Sequence, residues 1–391
     1  MTSRYSRRGV LLGGAGALAV GVGIGVGADQ LLTDSDEPMP SSTAAPGLTS
    51  ADLQPGTYQP GINRPATPAA HLLATVLAWP GAPKASQLVV LLAKLGREIL
   101  QITESQPSEL LPDGPGDLTV QVGLGARLVH MFDASLPGAT SFPVFKGSDR
   151  LERKLRTGDV VLMVAASEPT SLNAVTQHLM DHLPGVEIGW QQFAVRAHGE
   201  GTVTRNPLGY RDGIIVPDDD EDMDRGVWIT SGPLAGGSIG AIRRFTLDLD
   251  RFDALTTAEQ DAVIGRKKIS GAPLSGGGPN DQVDLFSKTP AGEYLTPVHA
   301  HARAAHPSFT ASPLMMRRSY GFTNGSDGGE ATSGLLFISY QNDLDTFSKT
   351  QLRLDEVDAL MGFSTPTAEI SFLVLPGFSS DRPLGSTLPL P

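Results

Sequence analysis

The sequence predicts an α+β fold of two successive βαββαβ units. Three observations predict it: short apolar or alternating runs, longer runs with apolar residues at helical spacing, and the same order of runs in both halves. Residues 71–79 form an apolar strand. Residues 86–102 place Leu88, Leu91, Leu92, Leu95, Ile99 and Leu100 on one helical face, and 118–122 alternate as a strand. Residues 160–165 read as a buried strand, 169–183 as a helix and 186–195 as an alternating strand. The second half repeats the order, with strands at 238–249, 314–322, 335–341 and 369–375 and helices at 250–265 and 343–361. Each half then makes a ferredoxin-like unit, an antiparallel sheet with helices on one side. The organisation expected is an export signal at 1–28, a flexible tether at 29–56, and two ferredoxin-like domains at 57–225 and 226–391.

The amino terminus bears on compartment. Ser6-Arg7-Arg8 precedes an uncharged run from Gly9 to Gly27, and Val26-Gly27-Ala28 offers the small residues that signal peptidases cut. This is the pattern of a twin-arginine export signal, so an extracellular or envelope-associated protein with no membrane span in its mature form is expected. That route carries folded proteins and suits a chain that collects a cofactor before it leaves. Residues 29–56 are rich in Ser, Thr, Pro, Asp and Ala without periodicity, and order is expected to begin near Tyr58.

Composition excludes several chemistries. The 391 residues contain no cysteine, which removes disulfides, thiolate zinc or iron–sulfur sites, thiolate haem ligation and thioether attachment. A net charge of −12 argues against nucleic acid or an anionic membrane as partner. Homo-oligomerisation is left open.

The long insertion at 266–313 holds the most suggestive histidine. Thr296-Pro297 offers an N-cap and a first-turn proline, and Pro307 ends any helix, so 299–305 is expected to form one or two helical turns. His301 would face one side, with His299 and Arg303 sharing a neighbouring face. On residue type alone, a lone histidine such as His301 is far more often a surface or satisfied core residue than a ligand. Gly209-Tyr210-Arg211-Asp212-Gly213 is equally open, since Asp-Gly commonly tips an ordinary turn.

Together, Gly209-Tyr210-Arg211-Asp212-Gly213 and Ala300-His301-Ala302-Arg303 with Pro307 resemble two motifs of the dye-decolourising peroxidases, the distal Gly-x-x-Asp-Gly and the proximal histidine segment. The resemblance continues through Gln59-Pro60-Gly61-Ile62, Arg205-Asn206-Pro207-Leu208, Gly236-Gly237-Ser238, Arg243-Arg244-Phe245, Gly265-Arg266-Lys267 and Gly334-Leu335-Leu336-Phe337. It implies a dimeric α/β-barrel-like arrangement with non-covalent haem b between the units. It also implies a peroxidase that uses hydrogen peroxide to oxidise bulky dyes or phenolic donors through a ferryl intermediate. A haem-binding or iron-delivery, deferrochelatase-like role is the alternative.

Carried over residue by residue, the resemblance makes His301 the axial ligand, with His299 and His306 as bystanders. Asp212 becomes the acid and base for peroxide, with Gly213 letting the backbone approach the macrocycle. Leu354, Val357 and Met361 define an apolar stripe in the last helix and Asp358 falls on it, where a carboxylate is costly unless paired. The resemblance pairs it with the far nitrogen of His301. Strand alternation sends Arg317 and Arg318 to opposite faces. The resemblance gives Arg317 to the distal pocket and leaves Arg318 to meet a propionate or carboxylate. Val216 stands where many members carry asparagine, which implies a poorer water network beside the peroxide and slower turnover. Trp228, Tyr320 and Tyr340 are candidate electron relays or simply core. An aspartate base titrates at about pH 3.9 when unperturbed, so turnover is expected to favour acid.

Overall fold

The structure, a computed structural model, describes residues 48–104, 106–325 and 331–391. The export signal expected at 1–28 and residues 29–47 of the expected tether lie outside them.

The first repeat contributes β1 (His71–Ala78), β2 (Thr119–Gly125), β3 (Val160–Ala166) and β4 (Glu187–Val195). A small hairpin follows, β5 (Thr204–Arg205) against β6 (Arg211–Asp212). The second repeat contributes β7 (Ser238–Leu247), β8 (Met316–Arg317), β9 (Tyr320–Asn324), β10 (Thr332–Gln341) and β11 (Ser364–Val374). β8 and β9 pair with β10 in one continuous register, Arg317 opposite Ser339 and Tyr320 opposite Leu336, so they act as the single strand expected at 314–322.

Within each repeat the antiparallel strands lie side by side in the sequence fourth, first, third, second: β4-β1-β3-β2 and β11-β7-β10-β9. The two sheets join at both edges, β2 to β11 and β4 to β9, and with the β7–β10 pairing they close into a barrel. Closure covers the strand edges that each repeat alone would expose. The two repeats share this closed sheet, with position 225/226 between them in sequence.

Alternation along the strands decides what faces the barrel. On β8, β9 and the link between them, Met316, Arg318, Tyr320 and Phe322 are buried inward with Leu336, Ile338 and Tyr340 of β10. Outside the first sheet lie the helices Ala85–Ile102 and Ser171–Asp181. Leu88, Leu92, Leu95 and Ile99 are fully buried there, each worth about 1.5–3 kcal/mol.

Several expected boundaries change. The run at 250–265 is two helices, Leu249–Asp253 and Thr257–Ile264, because Thr256 and Glu259 form a capping box that starts the second afresh. Helices Ala126–Phe132 and Asp220–Gly226 are additional. The tether ends earlier than residue 56: Leu53 is buried and Gln54 donates to the Thr103 carbonyl at 3.1 Å. Among the described residues no helix is long and apolar enough to cross a membrane.

Candidate active site

His301 opens a one-turn helix, His301–Ala304, capped by Ala300 rather than by Thr296. His299 therefore precedes the helix, and its Nδ1 meets the Val357 carbonyl at 3.1 Å. Arg303 does not share its face: it is buried and donates to the Leu285 carbonyl. The His301 turn is tied to the long helix Leu344–Val357 by Arg353, which donates to the Ala304 carbonyl at 3.1 Å, and by the Ala359 amide, which donates to the His299 carbonyl at 2.9 Å.

Asp358 ends that long helix, and its carboxylate is fully buried. One oxygen accepts from the Leu360 amide at 2.9 Å and the other lies 2.7 Å from His301 Nδ1. Pairing through Nδ1 leaves Nε2 as the nitrogen available to a metal. Burial opposes the charged imidazole, but the Asp358 carboxylate, through its charge and its hydrogen bond, and the charge of Asp212 together outweigh this, and the His301 pKa is raised.

Asp212 is placed by the β5–β6 hairpin. The Asn206 side chain accepts from the Leu208 and Tyr210 amides, both at 3.1 Å, which closes the turn. Arg205 ties the turn to the next loop through the carbonyls of Gly209 at 2.5 Å, Lys268 at 2.7 Å and Ile269 at 3.1 Å. Tyr210 is fully buried and donates to Asp261 at 2.7 Å, fixing the hairpin to the helix Thr257–Ile264. Asp212 thus lies on a short strand rather than at a turn tip.

Gly213 has φ +81°, and a Cβ there would lie 2.1 Å from the Thr202 carbonyl oxygen. Its missing side chain serves this backbone contact, which is a different reason from the expected approach to a macrocycle.

Arg317 faces Asp212, Nη1 to Oδ1 at 3.4 Å, and donates through Nη2 to the Ile215 carbonyl at 3.2 Å. Burial alone would raise the Asp212 pKa. The charges of Arg317, His301 and Arg196 and the Gly213 amide outweigh it and hold the carboxyl below its ordinary range.

Arg318 corrects the expectation made for it. It points into the barrel, where it is buried with Tyr320, Tyr340 and Gln121, and it meets no carboxylate among the described residues. Burial lowers its pKa to about 10. It cannot reach the cleft that His301 lines. Val216 also turns away from that cleft and packs against the barrel core, so it is not where an amide would touch peroxide. Trp228, Tyr320 and Tyr340 are buried. Trp228 stacks on half-buried Tyr58 at 4.0 Å, while the two tyrosine hydroxyls donate to Ala69 at 3.0 Å and Gln121 at 2.9 Å.

His301, Asp212, Gly213 and Arg317 line one cleft that encloses about 1500 Å³ out to its mouth. Its walls are mainly apolar, including Ile215, Phe245, Leu335, Phe337, Leu354 and Met361. Arg211 and Arg266, which received no role from sequence, line it too. Arg266 is fixed by the carbonyls of Gly271 at 3.0 Å and Asp281 at 2.7 Å, whereas the buried Nε of Arg211 has no partner among the described residues. His306 also lines the cleft, but no carboxylate stands behind it; its Nδ1 accepts from the Ser308 amide at 3.3 Å. A second cavity, enclosing about 940 Å³ out to its mouth, shares Asp212, Gly213 and Arg317 in its wall.

Comparison with known proteins places this arrangement. The dye-decolorizing peroxidase of Thermobifida fusca is 31% identical over 98% of this chain and 97% of its own length. The chain belongs to the dye-decolourising peroxidase family. Residues 203–379 match the family model for the Dyp-type peroxidase C-terminal part. A DyP-type peroxidase from Cellulomonas bogoriensis superposes with a TM-score of 0.78 at 29% identity, covering 87% of this chain and 99% of that one. DtpA from Streptomyces lividans, solved as an oxyferrous/water mixed complex, gives a TM-score of 0.80 at 26% identity over 89% and 98% of the two chains. The deferrochelatase of Escherichia coli K12 is 30% identical over 67% of this chain and 66% of its own. Family membership makes this protein a haem-dependent peroxidase.

The cleft fits that cofactor on its own terms. It offers an imidazole with one nitrogen fixed and the other free, apolar walls for a flat macrocycle, and arginines suited to acidic substituents.

Proposed function

We propose that this member uses hydrogen peroxide to oxidise bulky dyes or phenolic donors. The observation that carries the reading is the 2.7 Å contact between His301 Nδ1 and Asp358 in the cleft that Asp212 and Arg317 also line. His301 Nε2 would hold the iron of non-covalent haem b, and Arg211 and Arg266 would meet its propionates. Bound haem would supply the redox chemistry, two-electron towards peroxide and one-electron towards donors.

The chain's own residues handle protons and charge. Asp212, ionised, takes the proton from one peroxide oxygen and returns it to the other as the O–O bond breaks. Arg317 lies beside it, where its positive charge stabilises the anionic oxygen that leaves. Asp358 keeps His301 oriented and makes the imidazole a more electron-rich ligand. The cavity that shares Asp212 and Arg317 gives peroxide an approach that does not pass His301.

The likeness to deferrochelatase supports a second reading, in which the protein handles haem or iron and oxidises donors weakly. Haem-loaded protein mixed with one equivalent of peroxide separates the two. Fast spectral change followed by reduction when a phenol is added supports the peroxidase. Iron released from intact porphyrin, with little donor oxidation, supports the other reading.

Export by the twin-arginine route is proposed from Arg7-Arg8 and the uncharged run that follows. Arg7→Lys with Arg8→Lys should hold the chain in the cytoplasm, as fractionation and immunoblotting would show. Unimpaired export of that variant would count against it.

A further inference from the structure

On the outside of the first repeat, three metal-binding side chains meet far from the cleft. Glu98 comes from the helix Ala85–Ile102, His178 from the last turn of the helix Ser171–Asp181, and His182 from that helix's C-cap. Their ligand atoms lie within 4.8 Å of one another. His178 Nε2 is 3.3 Å from one Glu98 oxygen and His182 Nε2 is 3.5 Å from the other. A four-residue spacing puts both imidazoles on one helical face, which is what convergence on a single point requires.

We infer that Glu98, His178 and His182 form a binding site for a divalent transition-metal ion, with zinc the representative case. The first argument is metric. Bonds of about 2.0–2.1 Å arranged tetrahedrally set neighbouring ligand atoms about 3.3–3.4 Å apart; His178 Nε2 stands 3.3 Å from one Glu98 oxygen, and the carboxylate turns its other oxygen to His182, so it lies between the two rings with an oxygen towards each.

The second argument is the tautomer of His182. Its Nδ1 lies 2.9 Å from the His178 carbonyl oxygen. A carbonyl can only accept, so Nδ1 carries the hydrogen and the neutral ring turns the Nε2 lone pair towards Glu98. A lone pair facing a carboxylate at 3.5 Å repels it unless a cation lies between them. A metal ion bound by both groups would be that cation. Backbone anchoring of the distal nitrogen is also how metal-bound histidines are held.

The ligand set narrows the ion. Two imidazoles and one carboxylate suit zinc, copper or nickel and disfavour magnesium and calcium, which prefer all-oxygen sites. The three side chains are 29–34% exposed, so an ion can enter and keep a water at its fourth position. None of the three lines the haem cleft. A bound ion would clamp two helices of the first repeat and leave peroxide chemistry untouched.

The test is calorimetric titration of zinc chloride into tag-free, chelator-treated, haem-loaded protein. One equivalent should bind. His182→Ala should weaken binding by more than the roughly 10–100-fold that changes in outer-shell partners cost, and His178→Ala should do the same. Glu98→Gln, which keeps shape and loses charge, should also weaken it. Thermal melting provides a second readout: zinc should raise the midpoint of the wild type and not that of the His178→Ala, His182→Ala double variant. Peroxidase rates should be equal in all of them. No saturable binding to the wild type, or equal zinc affinity in the double variant, would overturn the site.

Discussion

Replacing His301 with alanine is expected to leave a folded protein that has lost most of its haem. In the proposed site the His301 imidazole is the single protein atom group bonded to iron, and the remaining attachments are apolar contacts and the arginines Arg211 and Arg266. Changing a partner in the outer shell of a metal ligand costs about 10–100-fold in affinity, which sets the expectation for Asp358→Asn. Removing the ligand itself must cost more. Folding should survive, because His301 starts a single helical turn and its neighbours Arg303 and Arg353 hold that turn through the Leu285 and Ala304 carbonyls. Reconstitution with hemin, read by the ratio of haem to protein absorbance, measures the loss, and circular dichroism checks the fold. Wild-type haem content in His301→Ala would shift the assignment to His306, the other histidine of the cleft.

The same residues show what a sequence can and cannot say. Strand alternation correctly separated Arg317 from Arg318, since their register against β10 puts them on opposite faces. The second face went wrong because its destination depends on β4 meeting β9, a contact between repeats that turns it into barrel interior. Asp358 was found through helical spacing, yet the helix stops just before it. Its short side chain accepts from the Leu360 amide and starts a new turn, so the carboxylate sits at a helix end and not on a continuous stripe. Arg211 and Arg266 lie in segments that carry the resemblance, yet nothing local marks them as lining the cleft. They come together because Arg266 is fixed by the carbonyls of Gly271 and Asp281, and because glycine at 271 makes room for the Arg211 side chain. Glu98 and His182 show the same limit, being brought together by the packing of two helices that leave the sequence far apart.

Asp212→Asn should bind haem as the wild type does and react with peroxide about 10²–10⁴-fold more slowly, the range that a positioned general acid–base residue contributes. Asparagine keeps the size of the side chain but accepts no proton at any working pH, so the loss falls on the chemistry and not on the pocket. The pH dependence sharpens the expectation. A base works only when ionised, and Asp212 is held below the ordinary carboxylate range because Arg317, His301, the Gly213 amide and Arg196 together outweigh the effect of burial. The wild-type rate constant with peroxide should therefore stay flat as pH falls from neutral and decline only below about pH 3.9, where an unperturbed aspartate is already half protonated, so the expectation that turnover favours acid does not extend to the peroxide step. Arg317→Gln removes the leading opposing charge, so protonation of Asp212 becomes easier and the decline should begin at higher pH. It should also lower the plateau, since the same guanidinium faces the oxygen that leaves. Stopped-flow measurement of the peroxide reaction across pH in the three proteins reads all of this. A wild-type decline that already begins near neutral pH, or an Asp212→Asn variant that keeps the acid limb, would transfer the base to another group. Among the described residues that line the cleft the alternative is His306, since His301 is committed to Asp358 on one side.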